Sequence, residues 1–300
     1  MLKVVSISLG SSSRNHTVET EIAGKKIMLS RLGTDGDWLK ARQLFCELDG
    51  KVDAFGLGGM DLYVYIAGKR YTFRQAVRLI QGVHTPVLDG SGLKNTLEKH
   101  VINLLQEEGI VEFVDKKILL VSGADRFGMA EALIQTGAQV VFGDLLFGLG
   151  LPFPMYNYQT FCRVAQMVLP LITQMPFSLL YPTGEKQTVN TPKFTRFFAE
   201  ADIIAGDFLF IKRYMPGELE GKIIITNTVT AADIKELADR GVHKVITTTP
   251  EFQGRSFGTN VLEAMLVALS GAKTALTAEE YLEIIQRFEI RPRVVDLRVA

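Results

Sequence analysis

One stretch of the chain places residues at a spacing that could bind a nucleotide. An apolar run ends at Ser122, a turn from Gly123 to Gly128 follows, and a second apolar run ends at Asp144. Such a turn directs backbone N–H groups and a helix N-terminus at one point, which favours a bound anion. An acid about twenty residues past the first glycine can accept hydrogen bonds from ribose hydroxyls. The pattern therefore predicts a strand–turn–helix–strand unit that holds NAD or NADP.

The residues predicted to hold this cofactor come from the turn and from later strand ends. They are Gly123, Ala124, Asp125, Arg126, Phe127, Gly128, Asp144, Thr228 and Thr248. The turn departs from the dinucleotide fingerprint, since Asp125 stands where a second glycine lets the backbone approach pyrophosphate. Asp125 would repel a phosphate unless its side chain turns away or Arg126 compensates. Asp144 favours NAD because an acid there repels a 2′-phosphate, and Arg126 leaves room for NADP.

A second group of reactive residue types lies just before a predicted helix at 97–108. Asp89 and Lys94 form the most suggestive acid–ammonium pair in the first half of the chain. Such a pair can move a proton to or from a substrate hydroxyl. The alternative is a surface turn followed by an N-cap, because most charged loop residues are solvated. The four histidines and two cysteines show no metal-like spacing, so no metal site is predicted.

Composition narrows the class of protein. Acidic and basic residues balance at 33 each, so nothing indicates a nucleic-acid partner. The most apolar region, 164–180, contains two prolines and predicts a buried segment rather than a membrane span. Two widely separated cysteines and the lack of a signal-peptide pattern predict a cytoplasmic location. An apolar insertion at 145–155 predicts a subunit interface, and hence a homo-oligomer.

The elements that must position these residues alternate between strand and helix. A hairpin at 16–31 and a helix at 38–48 come first, and from 118 onward the pattern predicts six strands, including one at 177–180. The predicted fold class is α/β, a small α/β N-terminal domain plus a doubly wound, Rossmann-like parallel-sheet domain. The predicted domains are an N-terminal α/β substrate domain at 1–96, a connector helix at 97–115, a Rossmann-like nucleotide-binding domain at 116–272, and a C-terminal helix and tail at 273–300.

This layout resembles the shikimate/quinate 5-dehydrogenase-like family of bacterial proteins. In that family a Lys and an Asp handle the proton of the hydroxyl being oxidised, beside a nicotinamide cofactor. The resemblance implies that Asp89 is the family's Asp, because it stands just before the connector helix. The family's Asn-Val-Thr and Pro-Phe-Lys segment has no counterpart, so Lys69 or Lys94 would take the role of the lysine.

These features predict an NAD(P)-dependent oxidoreductase that acts on a small hydroxylated, quinate- or shikimate-like substrate. Two alternatives stay open. A transferase with a nucleotide-bearing donor is favoured by Asp125, because a site without pyrophosphate tolerates that anion. A non-catalytic ligand-binding protein would leave Asp89 and Lys94 as ordinary surface charges. In each case the partner is a small molecule.

Overall fold

The computed structural model describes residues 1–22, 24–176, 189–252 and 255–298. Contacts between Cα atoms divide the chain into two compact units. Unit 1 comprises 1–93, 167–187 and 257–290, and unit 2 comprises 94–166, 188–256 and 291–300. Each unit combines helices with a sheet of mainly parallel strands. The prediction of a two-domain α/β protein is therefore confirmed at this level.

The described strands are β1 (Leu2–Ser8), β2 (His16–Ile22), β3 (Lys25–Gly33), β4 (Ala54–Gly58), β5 (Tyr63–Ile66), β6 (Lys69–Thr72), β7 (Val87–Leu88), β8 (Lys117–Leu120), β9 (Gln139–Phe142), β10 (Ile203–Ala205), β11 (Ile223–Thr226), β12 (Lys244–Thr247), β13 (Glu251–Phe252), β14 (Arg255–Ser256) and β15 (Arg293–Asp296). The described helices are α1 (Trp38–Leu48), α2 (Arg74–Leu79), α3 (Ser91–Asn95), α4 (Leu97–Glu107), α5 (Phe127–Gln135), α6 (Tyr158–Ile172), α7 (Thr195–Glu200), α8 (Phe208–Tyr214), α9 (Ala231–Asp239), α10 (Thr259–Ser270) and α11 (Ala278–Arg287).

Unit 1 is built on a five-stranded sheet in the order β2-β3-β1-β4-β7, in which β2 is antiparallel and the other neighbours are parallel. The antiparallel β2–β3 pair confirms the predicted hairpin. Val4 and Ile7 of β1 are completely buried, as expected for a parallel strand that is covered on both faces. Helix α1 begins where predicted, because the Asp37 side chain accepts a hydrogen bond from Lys40 N at 2.9 Å.

Helix α10 packs against β1 and β4 of unit 1. Gly56 permits the close approach, since a Cβ at that position would lie 3.0 Å from Asn260 Nδ2. Helices α10 and α11 therefore belong with the N-terminal strands. The boundaries predicted from the sequence run in simple chain order, whereas both observed units are assembled from separate segments.

Unit 2 is built on a six-stranded sheet in the order β9-β8-β10-β11-β12-β15. The first five strands are parallel, and β15 runs antiparallel to β12. The strands are short apolar runs such as Ile223-Ile224-Ile225, and helices α7 and α8 bury Phe198 and Ile211 in the same core. Burial of such side chains stabilises the unit by about 1.5–3 kcal/mol each. The predicted strand at 177–180 lies outside the described residues.

Within the described ranges, every helix is too short or too polar to cross a membrane.

Candidate functional site

The turn after β8 donates its amides to a carboxylate of the protein itself. Gly123 N and Ala124 N donate to the two carboxylate oxygens of Asp144, at 3.1 Å and 2.7 Å. These are the amides predicted to meet pyrophosphate. Burial raises the pKa of Asp144 to about 6, although the same two amides favour its charged form. The anion that this turn binds is therefore internal.

Asp144 is fixed by the segment that follows β9. Gly143 N donates to Leu120 O at 2.8 Å, which ties the end of β9 to the end of β8. Asp144 then opens a π-helical turn, Asp144–Gly148, in which Phe147 is buried. The buried phenyl ring anchors the turn in the core and so holds the carboxylate beside the amides.

Arg126 is a deeply buried charged residue of this region, with 1% of its surface exposed. Its guanidinium contacts Glu98 closely, and its Nη2 lies 3.0 Å from Asp207 Oδ2. Its Nε lies 3.7 Å from Asp125 Oδ2. Burial alone would lower the pKa of Arg126, but the three carboxylates outweigh it and raise that pKa above its ordinary value. Arg126 is therefore a cation in the folded protein.

Lys94 completes the group. Its Nζ lies 2.5 Å from Asp125 Oδ1, and its side chain is 8% exposed. Gly128 of α5 allows the backbone of Lys94 to approach closely, since a Cβ at position 128 would lie 2.6 Å from Lys94 O. We refer to Lys94, Glu98, Asp125, Arg126 and Asp207 as the polar cluster.

Asp207 links the cluster to the neighbouring strand ends. Its Oδ2 accepts a hydrogen bond from Asn227 Nδ2 at 2.9 Å, and its backbone N donates to Ser122 Oγ at 3.2 Å. Its Oδ1 accepts from Leu209 N, which caps α8. These bonds hold the Asp207 carboxylate in place at the carboxyl ends of β8, β10 and β11.

The three predicted catalytic residues have separate surroundings. Asp89 is a buried acceptor in unit 1, where its carboxylate takes hydrogen bonds from the backbone of Leu62 and Tyr63 and from Ser91. Lys94 belongs to unit 2 and binds Asp125. Lys69 is exposed on β6, with its Nζ 5.3 Å from the ring centre of Tyr71. The assignment of catalytic roles to these residues stays a prediction.

The remaining predicted cofactor residues differ in exposure. Phe127 is buried and stacks on Tyr158 and Phe161, with ring centres 6.1 Å and 6.3 Å away. Thr248 is fully buried after β12, and Thr228 is partly exposed after β11. Phe127 and Thr248 therefore belong to the interior of unit 2.

Sequence reasoning did not single out Glu98. The residue stands on the buried face of α4, in register with Val101, Ile102 and Leu105. Burial raises its pKa to about 7, and Arg126 opposes that shift. A lone acid within an apolar helical stripe was the available signal, because such an acid needs a buried partner.

A second buried glutamate in unit 1 was also not singled out. Glu263 lies in α10, and its Oε1 accepts a hydrogen bond from the Tyr281 hydroxyl at 2.6 Å. The backbone amides of Gly90 and Gly92 also bond to its carboxyl group. Burial, followed by the charge of Asp89, raises the pKa of Glu263 to about 8. This group of residues ties α11 to the segment after β7.

The opposite, amino edge of the unit 2 sheet carries a groove of about 310 Å³, whose lining includes Lys116, Asp202, Glu220 and His243. It is remote from the strand ends that bear the polar cluster. Among the described residues, no three His, Cys, Asp or Glu side chains are grouped so that they could hold a metal ion.

Solved structures match the chain at low similarity. A Mycobacterium smegmatis protein in complex with β-D-fucofuranose is 10% identical, with 100% of this chain and 92% of that chain covered, at a TM-score of 0.35. GanP, a glucose-galactose binding protein from Geobacillus stearothermophilus, is 10% identical, with 99% and 98% covered, at 0.40. Entamoeba histolytica malic enzyme is 11% identical, with 92% and 60% covered, at 0.42. Sugar-binding proteins recur among the further matches.

Two predictions are corrected by these findings. The family models that match the chain are described as domains of unknown function and not as shikimate or quinate dehydrogenases, the solved structures that match include sugar-binding proteins, and Asp144 occupies the amides predicted for pyrophosphate. The resemblance to the dehydrogenase family and the NAD(P)-dependent oxidoreductase function are therefore wrong. Binding of NAD or NADP as such stays a prediction, as do the cytoplasmic location and the homo-oligomer.

Two family models match the sequence of the chain. The family described as Domain of unknown function (DUF8753) matches residues 3–89, and the one described as Domain of unknown function (DUF8754) matches residues 92–297. No curated protein sequence matches the chain. Because its model covers more than half of the sequence, the chain belongs to the family described as Domain of unknown function (DUF8754).

Proposed function

We propose that the protein binds a small polyhydroxylated molecule at the polar cluster of unit 2, without transforming it. One observation carries the proposal. The Asp125 and Asp207 side chains, 27% and 18% exposed, present fixed carboxylates at the carboxyl ends of neighbouring parallel strands. In open parallel sheets, ligands bind beyond that edge.

The strand order supports the choice of edge. The chain passes from β8 to β9 on one side and then crosses to β10 on the other side of β8. This reversal is the topological switch point of a doubly wound sheet, where a crevice opens at the carboxyl ends. We therefore propose a doubly wound, Rossmann-like arrangement for unit 2, with Asp125 and Asp207 on the two sides of the switch point.

The chemistry of the side chains supports the type of ligand. A carboxylate oxygen has more than one acceptor position, so Asp125 and Asp207 can accept hydrogen bonds from ligand hydroxyls beside those that they accept within the protein. Several ligand hydroxyls can therefore be bound at once. Arg126 and Asn227 hold the Asp207 carboxylate from behind, which reduces the entropy lost when a ligand binds.

Calorimetric titration with a panel of neutral monosaccharides, both pentoses and hexoses, tests the proposal. Sugars are the first probes because their hydroxyls are dense. We expect at least one of them to bind, and Asp207→Asn to weaken that binding roughly tenfold or more, as for loss of a hydrogen bond to a charged acceptor.

Asp296→Asn is the matched control. The substitution removes the same charge from an exposed side chain in β15. Asp296 pairs with Lys244, the first residue of β12, and so lies at the amino edge of the sheet. Its binding should equal that of the wild type. If no sugar in the panel gives a saturable heat at millimolar concentration, the proposal is lost. An equal loss in both variants would place the ligand elsewhere.

A further inference from the structure

The polar cluster turns two of its three acids, and neither of its cations, toward solvent. The side chains of Lys94 and Arg126 are 8% and 2% exposed, against 27% for Asp125 and 18% for Asp207. Glu98 is completely buried behind them. A ligand that approaches from solvent therefore meets carboxylate oxygens first.

Each cation of the cluster is already neutralised within the protein. Asp125 lies 2.5 Å from Lys94 Nζ and 3.7 Å from Arg126 Nε, so its one carboxylate serves both cations. Arg126 has Glu98 and Asp207 as further partners. Two cations therefore face three carboxylates, and no surplus positive charge remains to receive an anionic ligand.

Without the charge of Asp125, the cluster would hold two cations and two carboxylates, and its net charge would no longer repel an anion. Arg126 would keep Glu98 and Asp207 as partners, and Lys94 would lie beside the start of α5 without the Asp125 carboxylate, where a cation and a helix start together favour a bound phosphate. Asp125 occupies the place that such an anion would take. The position of Asp125 matters for the proposed function, because a neutral sugar and its phosphate ester differ by one anionic group.

We infer that Asp125 is the residue that determines ligand charge at this site, so that the protein accepts uncharged hydroxyl ligands and excludes their phosphorylated or carboxylated forms. The inference deepens the proposed function and rests on it for the nature of the hydroxyl ligand. The exclusion of anions follows from the cluster alone, and it can be measured separately.

Titration calorimetry with inorganic phosphate separates the two ideas. The wild type should bind phosphate weakly or not at all. Asp125→Asn, which keeps the size of the side chain and removes its charge, should bind phosphate at least roughly tenfold more tightly, as one neighbouring charge shifts ionic equilibria by that factor or more. Asp296→Asn carries the same change of net charge far from the cluster and should behave like the wild type.

The results decide each proposal independently. Equal phosphate binding by Asp125→Asn and Asp296→Asn, or tight phosphate binding by the wild type, would overturn the inference even if sugars bind. Conversely, tighter phosphate binding by Asp125→Asn would support it even if every neutral sugar fails, in which case the proposed function alone is lost. Asp125→Ser repeats the test with a smaller neutral side chain, and the wild-type titration does not depend on any variant folding.

Discussion

Glu98 in unit 2 and Glu263 in unit 1 are both buried glutamates in helices, but they are satisfied in different ways. Glu98 contacts the guanidinium of Arg126. Glu263 is bonded by the Tyr281 hydroxyl and by the amides of Gly90 and Gly92. Burial raises the pKa of Glu98 to about 7 and that of Glu263 to about 8.

Each unit tolerates its buried acid through a different kind of partner. A cation favours the charged form of Glu98, so unit 2 carries an ion network in which Asp125 and Asp207 are partly exposed. Neutral donors do less to offset burial, so Glu263 keeps its proton at neutral pH. Unit 1 then uses this carboxyl group as a hydrogen-bonded connection between helices rather than as a charge. Substitutions at Arg126, Glu98, Glu263 and Tyr281 test that distinction.

The largest expected effect comes from breaking the charged pair. Arg126→Met leaves Glu98 buried without its cation, and we expect unit 2 to lose about 3–5 kcal/mol of stability. Native-state hydrogen exchange of peptides from α4 and β8 measures it. Arg291→Met is the control, because Arg291 is more than half exposed where it pairs with Glu108 in the same unit, and its loss should cost under about 1 kcal/mol. Equal losses in the two variants would contradict the buried-pair interpretation.

Glu263 should make stability fall as pH rises. Its unfolded pKa is near 4.5 and its folded pKa is about 8, so between these values the folded state binds more protons than the unfolded state. The stabilisation is complete below pH 4.5 and is lost as pH rises through 8, by an amount of the order of 4 kcal/mol. Glu263→Gln cannot lose a proton, and peptides from α10 should therefore exchange more slowly in this variant than in the wild type at pH 9.

The same substitution, glutamate to glutamine, can be compared at Glu98 and at Glu263 at pH 7. Glu98→Gln takes one carboxylate from Arg126 while Asp125 and Asp207 remain, and we expect a loss of about 1–3 kcal/mol. Glu263→Gln replaces a group that is mostly protonated at this pH, and we expect less than about 1 kcal/mol. Urea unfolding monitored by hydrogen exchange in each unit gives both values. If the order is reversed, the assignment of a cation partner to Glu98 and of a bound proton to Glu263 is wrong.

The sequence predicts much of the scaffold and little of the difference between the surroundings of Glu98 and Glu263. Apolar runs located β8 and β9, and Asp37 located the start of α1, because both signals are local. The turn at Gly123 was also located, but the sequence does not say whether its amides bind an external anion or a carboxylate of the protein itself. Only the path of the chain after β9 brings Asp144 to them. Asp125 was the local departure from the dinucleotide pattern.

The arrangement of segments into units could not be predicted in the same way. Helix α10 joins unit 1 because it packs on β1 and β4, more than 200 residues earlier in the chain, and hydrophobic periodicity does not specify the partner of an apolar face. Glu98 and Glu263 each stand out as acids in apolar helices, yet the sequence does not say whether a cation or a neutral donor lies opposite.

The smallest expected effect isolates one neutral donor. Tyr281→Phe removes the hydroxyl that donates to Glu263 and that accepts a hydrogen bond from Leu276 N at 3.3 Å. We expect a loss of about 1 kcal/mol, the usual cost of one buried hydrogen bond. Because that hydroxyl favours the charged form of Glu263, its removal should also move the loss of stability to higher pH. A change in stability with no shift of the pH window would mean that the amides of Gly90 and Gly92 alone set the protonation of Glu263, and that Tyr281 acts through packing.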